Sequence, residues 1–198
     1  MNANPREARP AIFLTMLGLT ILFRLVPFAL ISAGYTIDES YPWSFSPILA
    51  VCLFGAAFVG ARSIALLGPM VAWLAGDIAL GLVLGSWDAA FYASQPFTYL
   101  AIAVCVAVGF CLRGRVSASS VIGLGLTTPI LFFLISNFGS WLVYDTYPKT
   151  IGGLLECYAM GIPFFRYALL SQIVFLPILF SPLAVRRPAP TIRGEIAL

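Results

Sequence analysis

Histidine is absent from this 198-residue chain, and charged residues make up only 10% of it. Losing histidine removes the commonest general base, the commonest metal ligand and the usual pH switch. The four cysteines, Cys52, Cys105, Cys111 and Cys157, form no CxxC pair. A zinc site needs Cys or His ligands at short spacing, so no metal site and no cofactor is expected. The cysteines read instead as small apolar residues. There is no GxxxxGK[ST] loop for nucleotide, no GxSxG elbow and no pair of catalytic carboxylates, so the chain does not read as an enzyme. The net charge of +3 is too small for a phosphate-binding surface, which excludes a nucleic-acid partner. Period-two alternation is missing too, and an outer-membrane barrel requires it.

What is present is apolar. Hydrophobic residues make up 61% of the chain, against 45–50% in an average soluble domain. The sequence predicts an all-α, polytopic membrane protein with the lipid bilayer as its principal partner. Six apolar runs, punctuated by charge, predict transmembrane helices at about 11–33, 46–61, 63–85, 96–112, 118–143 and 162–185. A loose tail is expected over 186–198. Ile151, Leu154, Leu155 and Tyr158 repeat at helical spacing, so a short interfacial helix is expected from Thr150 to Met160. The first run carries Arg24 and is too long for a signal-peptide core, so it reads as a retained helix. The whole chain reads as one domain.

Charge predicts the orientation. Arg6, Arg9, Arg62, Arg113, Arg115, Arg186, Arg187 and Arg193 fall at the termini or in alternate connections, and only Lys149 falls on the other side. Basic residues stay cytoplasmic. Both termini are therefore expected inside, in a bacterial cytoplasmic (inner) membrane. Small residues pair at four-residue spacing in the second and third runs, as at Gly81 and Gly85. Such pairs let helices approach closely.

Polar residues inside the apolar runs carry the functional signal. Arg24, Asp77, Asn137 and Arg166 come from four different runs, yet all fall in the outer half of the bundle. A charge at mid-bilayer costs about 2.5–3.5 kcal/mol on insertion scales, so each needs a partner or a wet cavity. Asp77 is expected to pair with Arg24 or Arg166. Trp73 lies one turn before Asp77 and Trp141 one turn after Asn137, where they would supply a pocket wall. Two arginines against one carboxylate leave a surplus positive charge, which suits a small anionic or carboxylate-bearing solute. Asp145 or Glu156 would neutralise that surplus if they approached it. Two functions follow: a solute-binding membrane component, or a scaffold whose buried polar cluster only fixes helix packing.

Several segments carry a resemblance. They include Arg24-Leu-Val-Pro27, Phe45-Ser-Pro47, Gly76-Asp77 and Phe132-Phe-Leu-Ile-Ser-Asn-Phe-Gly-Ser-Trp141. Tyr147-Pro-Lys-Thr150 and Ile162-Pro-Phe-Phe-Arg166 continue the series. Over most of its length the chain resembles a bacterial six-helix membrane-protein family of unknown function. That family is similar in architecture to the substrate-binding S components of energy-coupling factor transporters. The resemblance implies a binding site near the outer face, a transmembrane coupling protein as partner and two ATPases supplying energy. The Ala-xxx-Ala docking element of many S components has its nearest counterpart here in Ala29 and Ala33, at the outer end of the first helix.

Overall fold

The computed structural model describes residues 6–37 and 41–186. Seven helices follow one another: α1 (Pro10–Ser32), α2 (Ile48–Phe58), α3 (Arg62–Leu84), α4 (Trp87–Ala90), α5 (Gln95–Gly109), α6 (Ala118–Val143) and α7 (Ile151–Leu179). A 3-10 turn, Phe110–Leu112, extends α5. α1, α3, α6, α7 and α5 with its turn are long and apolar enough to cross a membrane. The chain is an all-α, multi-pass membrane protein.

α2 is different. Its 11 residues are all buried, and at 1.5 Å per residue it is about 16 Å long, half the hydrocarbon thickness. The long helices turn large apolar side chains outward, among them Leu14, Leu67, Ile122 and Ile173. α2 turns none, because the other helices surround it. Its apolar residues therefore face protein on every side. At Gly109 of α5, a β-carbon would stand 2.8 Å from the Ala56 Cβ and 3.1 Å from the Leu53 Cα. Glycine there lets α5 lie directly against α2.

A short helix buried at its end leaves carbonyls without water. Arg113, just past the 3-10 turn, supplies the donors. Its Nε donates to Ala56 O at 3.1 Å, Nη2 to Val59 O at 2.6 Å and Nη1 to Gly60 O at 3.2 Å. One charged side chain thus closes the C-terminal end of α2.

The termini meet. Two-residue strands β1 (Glu7–Ala8) and β2 (Val185–Arg186) pair antiparallel, with Glu7 opposite Arg186. An Arg186–Glu7 ion pair at 3.8 Å and an Arg9 N–H bond to Ala184 O at 2.9 Å reinforce the join. Glu7–Ala8 and Val185–Arg186 therefore lie together at one end of the bundle, the proximal end. The loops after α1, α3 and α6 lie at the distal end.

Four expectations differ from the structure, and the first is the second expected span, 46–61: it is α2, 11 residues long and too short to cross a membrane. The interfacial helix and the sixth span are one continuous helix of 29 residues, α7. Gly161 and Pro163 do not break it. Gly161 is where α7 touches α6: a β-carbon there would stand 2.6 Å from Asn137 Oδ1. α7 then stops at Leu179, not 185, because Pro182 disfavours helix in the residue before it and the chain turns into β2. α4 and the two short strands were not expected, since elements of four and two residues have no period to read. Arg186 belongs to β2, and the rest of the expected tail lies outside the described residues.

Replacing Arg113 by methionine should lower stability by about 1.5–3 kcal/mol, the scale of hydrogen bonds from a charged donor. Lysine at that position should restore only part of it, because it lacks the guanidinium fork. Unfolding titrations in mixed micelles measure both.

Candidate functional site

Asp77 is the most constrained polar group in the bundle. It sits on α3 and is fully buried, with 0% exposure. Its Oδ1 accepts from Arg24 Nη2 on α1. Its Oδ2 accepts from Gln95 Nε2 and from the Tyr99 hydroxyl, the latter at 2.9 Å, both on α5. Three helices are thereby tied at one carboxylate. The local sequence makes room for this: a β-carbon at Gly76 would stand 2.8 Å from Arg24 Cδ, so glycine leaves the arginine its path across α3.

Arg24 is held from a second direction. Its guanidinium carbon lies 4.2 Å from the Trp73 ring centroid, a cation–π contact. The Tyr92 hydroxyl bonds Thr98 Oγ1 at 2.9 Å. Burial holds the Tyr92 phenol above its ordinary pKa, so it stays protonated.

Beside this hub lies a cavity of about 330 Å³, within the size range of small-molecule sites. Its wall is largely aromatic: Phe23 and Phe28 from α1, Trp43 from the loop before α2, Trp73 from α3, Phe132 and Phe133 from α6, and Phe164 and Phe165 from α7. The polar groups among them are Arg24, Tyr92, Asn137, Ser44, Ser46 and Ser136. The loop is pinned at the rim by ring contacts. Trp43 meets Phe28 at 5.9 Å and Tyr41 at 5.1 Å between centroids, both near edge-to-face. A second cavity of about 410 Å³ shares Trp43 and Phe164 with the first.

Of the six residues singled out from sequence, Arg24, Trp73 and Asn137 line the cavity, and Asp77 backs Arg24. Arg166 and Trp141 stand elsewhere. Arg166 is exposed and turns to the Tyr167 hydroxyl at 3.3 Å. Successive helical residues are rotated by about 100°, so with Phe164 and Phe165 facing the cavity, Arg166 faces away. Trp141 is one turn too far along α6. Its Nε1 donates to Pro148 O at 2.9 Å, and Lys149 donates back to Trp141 O and Tyr144 O, closing the loop between α6 and α7. Lys149 also pairs with Asp145 at 3.8 Å.

This corrects the charge argument for an anionic solute. The cavity has one arginine, and its partner is Asp77. The surplus guanidinium that sequence spacing placed there is on another face of α7. Asn137 contributes differently: its amide nitrogen donates to Phe133 O at 2.9 Å. Gln95 and Tyr99 were missed. Both sit at the first turns of an apolar run, one helical turn apart, where polar residues usually read as an ordinary helix start. Among the described residues, no three His, Cys, Asp or Glu side chains gather as a metal would need.

Asp77→Ala should cost about 3–5 kcal/mol, because it strands a buried guanidinium. Replacing Arg24 and Asp77 together by leucine should recover much of that loss. Thermal unfolding of the two variants in the same detergent tests the pairing, and equal stability of Asp77→Ala and the unaltered protein would refute it.

No curated protein matches the chain, and no solved structure does. A match does extend over residues 4–191, nearly the whole sequence. By that match the chain belongs to a family of unknown function, DUF6580.

Proposed function

We propose that this protein is the solute-binding membrane component of an uptake system, similar in role to an S component of an energy-coupling factor transporter. The observation that carries the reading is a recess of about 330 Å³, open on one side and walled by aromatic rings from α1, α3, α6, α7 and the loop before α2. Packing alone favours close contact, and a void this large sacrifices dispersion among its lining groups. A site for a small molecule turns that loss to use. In this reading the proximal end faces the cytoplasm of a bacterial cell, as the excess of arginines there favours. The cavity then opens toward the outer side, and a coupling membrane protein with ATPases supplies the energy.

A scaffold role is the second reading, and one observation favours it. Asp77 has its partners within the chain, so the carboxylate is satisfied with the cavity empty.

Two measurements decide. Native mass spectrometry of gently purified protein should show a bound small molecule, and adding that molecule back to depleted protein should raise its thermal midpoint. Protein that carries nothing and gains no stability from its membrane's soluble metabolites would favour the scaffold. For orientation, single cysteines at Asp88 and Arg115, in a background with Cys111 replaced by serine, should label from opposite sides of the membrane. Asp88 should react from outside. Labelling of both from one side would overturn the topology.

A further inference from the structure

Among the described residues, one charge deep within a span has no counter-charge. The ion pairs there use Arg24, Lys149 and Arg186, and none uses Arg166. The carboxylate nearest to it along α7, Glu156, is about 15 Å away along the helix axis. Arg166 lies about 20 Å from the proximal end of α7 at Leu179. Measured from that end, it falls roughly 10 Å short of the far boundary of a hydrocarbon layer about 30 Å thick. It is exposed, and so are Ile162, Leu170 and Ile173, which share its face at helical spacing. That face looks toward lipid. A charge at such a depth is costly unless it reaches the interface or a counter-charge.

Three features point to what supplies the counter-charge. Side chains on a helix lean toward its N-terminus. The N-terminus of α7 is distal, so Arg166 leans toward the distal headgroups. Second, Arg166 stands beside a recess. Its guanidinium carbon lies 4.8 Å from the Tyr167 ring centroid, and Nη2 donates to the Tyr167 hydroxyl at 3.3 Å. Tyr167 also lines the second cavity, of about 410 Å³, with Met160, Pro163 and Phe164 of α7 and Tyr41 and Trp43 of the loop before α2. No formally charged side chain lines that cavity, and Met160 and Phe164 on its wall are exposed. Third, the residues around Arg166 are bulky, whereas membrane helices meet one another through small ones. A cation beside an apolar recess on a lipid-facing surface matches a molecule with an anionic head and a hydrocarbon chain.

We propose that Arg166 and this recess bind an anionic phospholipid of the distal leaflet. Its phosphate meets the guanidinium, which suits phosphate oxygens bidentately, and an acyl chain lies in the recess. The site does not depend on the solute reading.

The test uses the full chain in phosphatidylcholine nanodiscs doped with brominated phosphatidylglycerol or with brominated phosphatidylcholine. Trp43 lines the recess, so the share of tryptophan quenching that Trp43→Phe removes reports on it locally. That share should respond about fivefold more strongly to the anionic lipid, the effect of one basic residue near anionic headgroups. Arg166→Gln should abolish the preference without moving the thermal midpoint, and Arg166→Lys should keep part of it. Free inorganic phosphate and glycerol phosphate should not relieve the quenching; relief by either would show a soluble anion instead of a lipid. Equal quenching by the two lipids, or a preference that survives Arg166→Gln, overturns the proposal. So does a Trp43 that neither lipid quenches, because protein then covers the recess. Asp38 and Glu39 lie outside the described residues, and a preference that emerges only in the Asp38→Asn, Glu39→Gln double variant would show that they neutralise Arg166 and overturn the lipid site.

Discussion

The bundle depends on one ion pair that cannot be left half made. Asp77 and Arg24 are each expensive in an apolar interior, and each becomes tolerable only because the other is there. Their contact fixes how α1 lies on α3, and Gly76 sets how closely. Gln95 and Tyr99 then draw the start of α5 to the same carboxylate. Once those three helices are set, Trp73 has its ring under Arg24 and its indole N–H buried. The cavity is the space that remains between this rigid corner and the aromatic faces of α6 and α7.

The loop before α2 belongs to the same logic. Non-helical backbone at membrane depth is tolerated only where protein or a cavity surrounds it. Residues 41–47 meet that condition: Trp43, Ser44 and Ser46 line the cavity, and ring contacts with Phe28 and Tyr41 hold the turn. The shortness of α2 and the presence of a cavity at its distal end are one fact seen twice. A full-length helix would occupy the space that the loop and cavity share.

Much of this was legible in the sequence, for a physical reason. Lipid demands unbroken apolar runs, so the spans from 11, 63 and 118 stand out with boundaries within a residue or two of α1, α3 and α6. A charge in such a run demands a partner, which made Asp77 and an arginine visible as a pair. Rotation about a helix axis was harder to read. Arg166 shares its depth with the cavity but not its face, and Trp141 overshoots by one turn. The start of α7 was hidden by Gly161 and Pro163, whose effect depends on whether a neighbouring helix presses there. Gln95 and Tyr99 carry no charge and interrupt nothing, so only the folded contact reveals them.

The full burial of α2 bears on how the protein enters its membrane. A segment of 11 residues is too short to be held by lipid as an independent span, although its side chains are all apolar. It must be delivered together with a neighbour, and the tight connection to α3 makes that pair a natural unit of insertion. Even then α2 has only α1 and α3 against it, and its cover is complete only once α5 and α7 are in place. Assembly therefore runs against the order of the chain: the second helix to leave the ribosome is among the last to find its place.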